Sequence, residues 1–256
     1  MTKPTLSVAY VVKNGGRLFS LSLASIQNRA DEIIVVDNKS TDTSVRIAQK
    51  VGARIYKNIS KNENTIRRYA LSKAHCDWIL FLDHDEIVST VLAKEIVKII
   101  QSKSSKQAYM IPYRNHLFGK ELKHAGEMYS MLRLFKKDSV YITNRRVHAS
   151  FETNKPLGTT KHTLDHYSYT SLLQIITKFT IYAKKHAQEK YEKCELVTPQ
   201  KIVLYAPHLF WTRFIVEKGY KDGGLRFLLD MSFAYMEFAT YVYLWYLYIH
   251  NKNARK

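Results

Sequence analysis

Asp83, Asp85 and Glu86 crowd the end of the run Trp78-Ile-Leu-Phe-Leu-Asp-His-Asp-Glu86. Two carboxylates two residues apart can hold a hard divalent cation against a diphosphate, because such ions prefer oxygen and keep part of their shell for substrate phosphates. Paired acids also cap helices or face water, so the element that presents them decides the chemistry. Asp37, which closes Glu32-Ile-Ile-Val-Val-Asp37, could accept the N–H of a nucleotide base or simply hold a turn. Arg67 and Arg68 stand side by side: a guanidinium there suits bidentate binding of a diphosphate, or a solvated helix face. His166, in Leu164-Asp-His-Tyr-Ser-Tyr169, is either a metal ligand or a structural histidine of a strand.

The elements that would position these groups follow from apolar patterning. Ile79 to Leu82 are four apolar residues in succession, which predicts a short strand buried on both faces with its acids at the C-terminal end. In open α/β sheets that end is where ligands bind. Upstream, Leu6 to Val12 and Glu32 to Asp37 read as buried strands, Leu18 to Asn28 as a helix, and Ala53 to Tyr56 as a third strand. Ser40 or Thr41 is the expected N-cap of a helix through Val51 that Gly52 stops, and a helix around Thr65 to Ala74 precedes the acidic strand. The series β-α-β-α-β-α-β predicts an α/β fold, a largely parallel sheet covered by helices on both faces.

The chain has 256 residues, enough for one large domain with an appendage. Lys and Arg number 40 against 22 Asp and Glu, a balance of +18 that attracts polyanions such as nucleic acid, anionic lipid or phosphorylated glycans. Cys76 and Cys194 are too few for a disulfide framework and too far apart for a metal knuckle, which points to a reducing compartment. The apolar run Leu6 to Val12 is too short for a secretory signal and is followed by Lys13-Asn-Gly-Gly16.

Four stretches carry a resemblance. Leu6-Ser-Val-Ala-Tyr-Val-Val-Lys-Asn14, Asp31-Glu-Ile-Ile-Val-Val-Asp-Asn-Lys-Ser-Thr-Asp42, Tyr69-Ala-Leu-Ser-Lys-Ala74 and Asp77-Trp-Ile-Leu-Phe-Leu-Asp-His-Asp-Glu86 resemble, in order, the signatures of family 2 glycosyltransferases of the GT-A fold. Arg133-Leu-Phe-Lys-Lys137, Val147-His148 and His166-Tyr-Ser-Tyr169 extend the likeness to WaaE- and LgtF-type enzymes, which add glucose to the inner core of bacterial lipopolysaccharide or lipooligosaccharide. The resemblance implies a metal-dependent, inverting hexosyltransferase that uses a UDP-sugar, most simply UDP-glucose, with Mn²⁺ or Mg²⁺. It implies that Val12, Lys13, Asn14 and Asp37 line the base pocket, that Asp83 touches the ribose or donor sugar, and that Asp85, with Asp83 and His166, serves the metal. Relatives often follow the position of Asp37 with an acid or serine, where this chain has Asn38. Relatives commonly carry glutamate after the Val-His pair as catalytic base, and this chain has Ala149. Glu152, His148 and Glu127, in that order, are the candidates to replace it.

Between Lys94 and Lys161, Arg114, Lys120, Lys123, Arg133, Lys136, Lys137, Arg145 and Arg146 are interleaved with Tyr109, Tyr113, His116 and Tyr141. Such a stretch fits a phosphorylated or lipid-linked oligosaccharide acceptor, a nucleic-acid groove, or a solvated basic surface. The expected division is a catalytic domain over 1–170 and a helical, basic, aromatic region over 171–256. Leu225 to Ile249 is long, apolar and aromatic, but Asp230 and Glu237 argue against a bilayer span. The segment suits a helix in the interface of an anionic membrane, with Tyr241, Tyr243, Trp245, Tyr246 and Tyr248 at headgroup level, or a helix packed on the protein or a second subunit. The first of these would place the protein in the cytoplasm, peripheral to the inner face of the inner membrane. A membrane anchor of this kind would be separable from a nucleotide site built before about residue 90. The rival outside enzymology is a basic nucleic-acid- or membrane-binding protein on a degenerate GT-A domain.

Overall fold

The computed structural model describes residues 3–60, 62–103, 106–143 and 151–252, with side chains to 250. In chain order the elements are β1 (Leu6–Val12), α1 (Gly16–Ile26), β2 (Glu32–Asp37), α2 (Ser44–Lys50), β3 (Arg54–Lys57), α3 (Glu63–Ser72), β4 (Trp78–Asp83), β5 (Glu86–Val88) and α4 (Thr90–Gln101). There follow β6 (Ala108–Leu117), β7 (Lys120–Glu121), β8 (Ser130–Lys136), β9 (Tyr141–Ile142), β10 (Phe151–Glu152), β11 (Leu157–Thr159) and β12 (Leu164–Tyr169). The helices α5 (Leu172–Glu192), α6 (Pro199–Trp211) and α7 (Gly224–Lys252) close the chain. Two compact units divide it: Met1–Asn115 with Met128–Tyr167, and His116–Glu127 with Ser168–Lys256. The helical unit takes in 116–127 as well as the residues from 168 onward.

The first unit is the α/β fold. Its main sheet runs β3-β2-β1-β4-β8-β6-β12-β5. The first four strands are parallel, and β8 then pairs antiparallel with both β4 and β6. The apolar runs are continuous because both faces are covered. Leu6, Val8, Tyr10 and Val12 of β1, with Leu80 and Leu82 of β4, pack on Phe19, Leu23 and Ile26 of α1 and Leu92 and Ile96 of α4. Ala9, Ile34, Val36, Ile79 and Phe81 face the other way onto Ile66 and Ala70 of α3.

The loop after β2 differs from expectation in its details. Helix α2 starts at Ser44, later than Ser40 or Thr41 would cap, and its N-cap residue Thr43 makes no side-chain cap. Ser40 Oγ instead accepts the Asn14 N–H at 3.0 Å, and the Thr41 N–H donates to Asn14 Oδ1 at 2.8 Å. These residues close the β2 loop on the β1 loop, which competes with capping for the same short side chains.

In the second unit α7 packs on α5 through Phe233 against Phe179 and on α6 through Phe227 against Phe210, with ring centroids 4.8 and 5.5 Å apart. Asp230 is fully buried and is satisfied by Arg226 Nε at 2.9 Å and Arg213 Nε at 3.0 Å; both arginines also reach Glu127, at 3.0 and 3.2 Å. Among the described residues no helix is long and apolar enough to cross a membrane. The aromatic residues of α7 divide: Tyr241 is buried and donates to Glu195, Tyr248 donates to the Glu195 carbonyl, and Tyr243 is half-buried beside Lys184. Trp245 and Tyr246 are the exposed members of the expected set.

Helix α7 is therefore also a core element, contrary to its expected separability. Ending the chain at Gly224 removes the cover of Ile175 and Phe179 and leaves Arg213 and Glu127 without Asp230 and Arg226. The expected outcome is loss of the α5 and α6 signal in circular dichroism and rapid proteolysis across 168–224, whereas a protease-resistant truncated protein would contradict this packing.

Candidate active site

The site grows from the C-terminal ends of neighbouring parallel strands. Val12 lies opposite Asp37 in the β1–β2 register, and Val11 lies opposite Asp83 in the β1–β4 register. Val12 and Asp37 are buried, while Lys13 and Asn14 are exposed on the loop that follows. Asp37 Oδ1 accepts the Ser40 N–H at 3.1 Å, so this carboxylate shapes the turn while standing at the strand end. Gly15 is required by a close approach: a Cβ there would fall 2.7 Å from Phe19 Cβ and 3.1 Å from His84 Cβ. The β1 loop can therefore lie against the turn that carries Asp83 and Asp85.

Asp83 and Asp85 have different environments. Arg133, on β8, donates from Nη2 to Asp83 Oδ2 at 2.5 Å and to Glu86 Oε1 at 2.5 Å, and Arg67 Nη2 lies 3.2 Å from Asp83 Oδ1. Both carboxylate oxygens of Asp83 are thus engaged. Burial alone would raise its pKa, but Arg133 and then Arg67 outweigh burial and hold the carboxyl well below the usual range. Glu86 is completely buried and receives the Tyr113 hydroxyl. Burial, opposed by Arg133 and reinforced by Asp83, pushes its pKa up to about 7. The Asp83 N–H donates to Glu86 Oε2 at 3.0 Å, which ties the acidic turn back on itself. The two guanidinium groups, one on each oxygen, set the orientation of the carboxylate at the strand end.

Asp85 lies in the turn between β4 and β5, half-buried, with His166 Nε2 3.8 Å from its Oδ2. His166 Nδ1 is 2.7 Å from Asn115 Oδ1, an acceptor, so Nδ1–H donates there and Nε2 is the nitrogen left facing Asp85. The imidazole is further held against Tyr113, ring centroids 5.0 Å apart, and the Tyr167 N–H donates to the Asp85 carbonyl at 2.9 Å. No group of three or more His, Cys, Asp or Glu among the described residues could hold a metal alone. A carboxylate together with substrate phosphates is how Mn²⁺ and Mg²⁺ are held beside a diphosphate, and the neighbouring imidazole is a ligand that Mn²⁺ accepts. The donor set fits such an ion.

The two adjacent arginines separate cleanly. Arg67 faces Asp83 and stacks over Phe81 at 5.0 Å, whereas Arg68 donates to the Ile142 carbonyl at 3.0 Å. Glu152 lines a cavity of about 330 Å³ together with Arg133, Tyr141, Met131 and Phe151, and accepts the Tyr141 hydroxyl at 3.3 Å. Glu127 belongs to the helical unit, where Arg213 and Arg226 hold it; burial raises its pKa despite Arg226 and Arg213. Its expected role as base does not fit, because its carboxylate is committed to that ion network. His148 lies outside the described residues, as do Arg145 and Arg146.

The basic middle of the chain is not one surface. Arg133 is buried, Arg114 is clasped by Asp165 at 2.5 and 2.8 Å, and Lys120 donates to the Asp222 carbonyl at 2.9 Å. Arg133, Tyr113, Asn115 and Glu86 thus organise the site without having been assigned to it from sequence. A signal existed for the first: an arginine inside Met131-Leu-Arg-Leu-Phe135 must be paired if that strand is buried.

A model of the family described as Glycosyl transferase family 2 matches residues 7–168, well over half of the chain. The chain belongs to glycosyl transferase family 2. An uncharacterized glycosyltransferase of Rickettsia felis is 26% identical over 260 residues, spanning 97% of this chain and 92% of its own. Another, from Rickettsia bellii, is 27% identical over 248 residues, spanning 91% and 83%. The crystal structure of glucosyl-3-phosphoglycerate synthase from Mycobacterium tuberculosis with Mn²⁺ and UDP-glucose overlaps 43% of this chain and 44% of its own, with 22% identity and a TM-score of 0.39. That likeness is too partial to carry a donor, metal or acceptor across.

For this family 2 glycosyltransferase, the buried Arg133 makes a measurable claim. Arg133→Met leaves the buried Glu86 and the half-buried Asp83 without their shared partner, and urea denaturation is expected to show a loss of about 3–5 kcal/mol. Adding Glu86→Gln to Arg133→Met should recover part of that loss, and no recovery would mean that packing, not charge, set the cost.

Proposed function

We propose that this glycosyltransferase moves glucose from UDP-glucose to a heptose of lipopolysaccharide or lipooligosaccharide inner core, with inversion and with Mn²⁺ or Mg²⁺ bound. The observation that carries the chemistry is Asp85 Oδ2 lying 3.8 Å from a His166 whose Nδ1–H Asn115 engages, beside the strand ends that present Val12 and Asp37. Support for glucose and heptose is the resemblance of the motifs from Leu6 to Tyr169 to inner-core enzymes.

Within this reading Val12, Lys13, Asn14 and Asp37 hold the uracil, and Asp83 is oriented toward the ribose or donor sugar by Arg67 and Arg133. Asp85 and His166 would hold the ion. Bound there, it supplies Lewis-acid neutralisation of charge developing on the diphosphate leaving group. Glu152 takes the proton of the acceptor hydroxyl as its oxygen bonds to the anomeric carbon from the face opposite UDP, while the bond to the β-phosphate oxygen breaks. The cavity shared by Glu152 and Arg133 offers room for that acceptor.

Purified protein given UDP-glucose, UDP-galactose and UDP-N-acetylhexosamines, with and without EDTA, should release UDP fastest from UDP-glucose and only with metal present. Preference for another donor would redirect the reading within the family. No metal-dependent UDP binding, together with tight salt-sensitive DNA binding, would favour the degenerate-domain rival. Asp85→Asn is expected to lower kcat by about 10²-fold or more with the fold intact. Asn115→Leu, which unpins His166 Nδ1, should weaken Mn²⁺ binding in the presence of UDP by about 10–100-fold. Glu152→Gln should lower transfer by about 10²–10⁴-fold and leave UDP affinity unchanged, and near-normal transfer would move the base to His148.

A further inference from the structure

Helix α7 carries a second face that its own unit leaves uncovered. Leu228, Met231, Tyr235, Phe238, Trp245 and Ile249 are all exposed, and the half-buried Val242 completes the spacing of three and four residues. Such spacing puts all seven on one side of a helix, a stripe about 32 Å long at 1.5 Å per residue. Met231, Phe238 and Trp245 are 47%, 46% and 51% exposed. Helix α6 adds exposed apolar side chains beside α7. Its Leu204 and Trp211 are exposed, and Leu204, Tyr205, His208 and Leu209 border a groove of about 490 Å³ whose far wall is Glu237 of α7. Exposed apolar side chains grouped in this way mark interaction sites.

We infer that the α6–α7 face docks into the interface of an anionic lipid bilayer, with the apolar and aromatic side chains below the headgroups. This inference does not depend on the sugar or acceptor proposed above. Three features favour lipid over a second copy of the chain. The residues flanking the stripe, Phe227, Ala234 and Tyr241 on one side and Ser232, Ala239 and Tyr246 on the other, hold no charge, whereas paired helices use charged flanks to fix partner and register. Ala234, Ala239 and Tyr241 are buried within the unit, so a facing helix would find no open holes beside the stripe. Trp245, Tyr246, Tyr235 and Trp211 suit the headgroup level, where amphipathic rings concentrate. Charge agrees: Lys218 and Lys221 are exposed beside Glu217 just before α7, Lys252, Arg255 and Lys256 follow the stripe in sequence, and the chain carries +18. Glu237 is half-buried in the groove, where burial raises its pKa against the pull of Lys190.

The test is cosedimentation of the full-length protein with phosphatidylcholine vesicles, with and without phosphatidylglycerol. Binding is expected with phosphatidylglycerol at low salt, accompanied by a blue shift of tryptophan emission, and high salt should release much but not all of the protein because screening leaves the apolar contact in place. Phe238→Glu and Trp245→Glu, both at exposed positions, should each weaken binding by about tenfold or more, with helix content, Tm and UDP affinity unchanged. Failure of the intact protein to bind these vesicles overturns the inference. So does unaltered binding by both variants, or a solution dimer that Phe238→Glu converts to monomer. Loss of donor activity with vesicle binding intact would count against the catalytic reading alone.

Discussion

A guanidinium buried in the sheet is the constraint on which the site depends. Arg133 sits inside β8, one strand from the acidic turn, and its charge can be tolerated there only because Asp83 and Glu86 meet it. That requirement fixes the turn after β4 from beneath. Arg133 meets Asp83 Oδ2 while Arg67 meets Oδ1, the Asp83 N–H ties Glu86 under the loop, and Asp85 is left facing His166 instead of a guanidinium. A division of labour between two carboxylates two residues apart thus comes from a third element, not from the acids themselves.

The same logic recurs in the helical unit, with a different consequence. Asp230 and Arg226 lie one turn apart on α7 and are completely buried, and Arg213 and Glu127 complete the network. These charges do not interrupt an apolar helix at random. They anchor one side of α7 to its own unit and so decide which of its remaining sides is left to face outward. A helix that is apolar almost all round thereby acquires distinct inner and outer faces.

The imidazole of His166 shows how modest forces set up a ligand. The hydrogen bond to Asn115 Oδ1 engages Nδ1–H of the ring and turns Nε2 toward Asp85. The ring contact with Tyr113, itself bonded to Glu86 and Arg133, connects this ligand to the buried charges under the acidic turn. The two halves of the candidate metal site, distant in sequence, therefore share one rigid foundation.

Much of this protein was legible in its residues. Continuous apolar runs ending in acids dictate buried parallel strands with carboxylates at their C-terminal ends, because strand period and burial are local properties of the chain. The β1, β2 and β4 runs, and with them the placement of Val12, Asp37 and Asp83, follow from that rule. What the sequence could not decide was which charges pair. Arg133 looked like one more base in a basic stretch, Glu127 like a candidate proton acceptor, and Tyr241 like an interfacial aromatic. Their roles depend on partners 50, 86 and 46 residues away. Buried charge is stabilised or penalised by whatever the fold brings within hydrogen-bond reach, and that neighbourhood exists only once the strands and helices have packed.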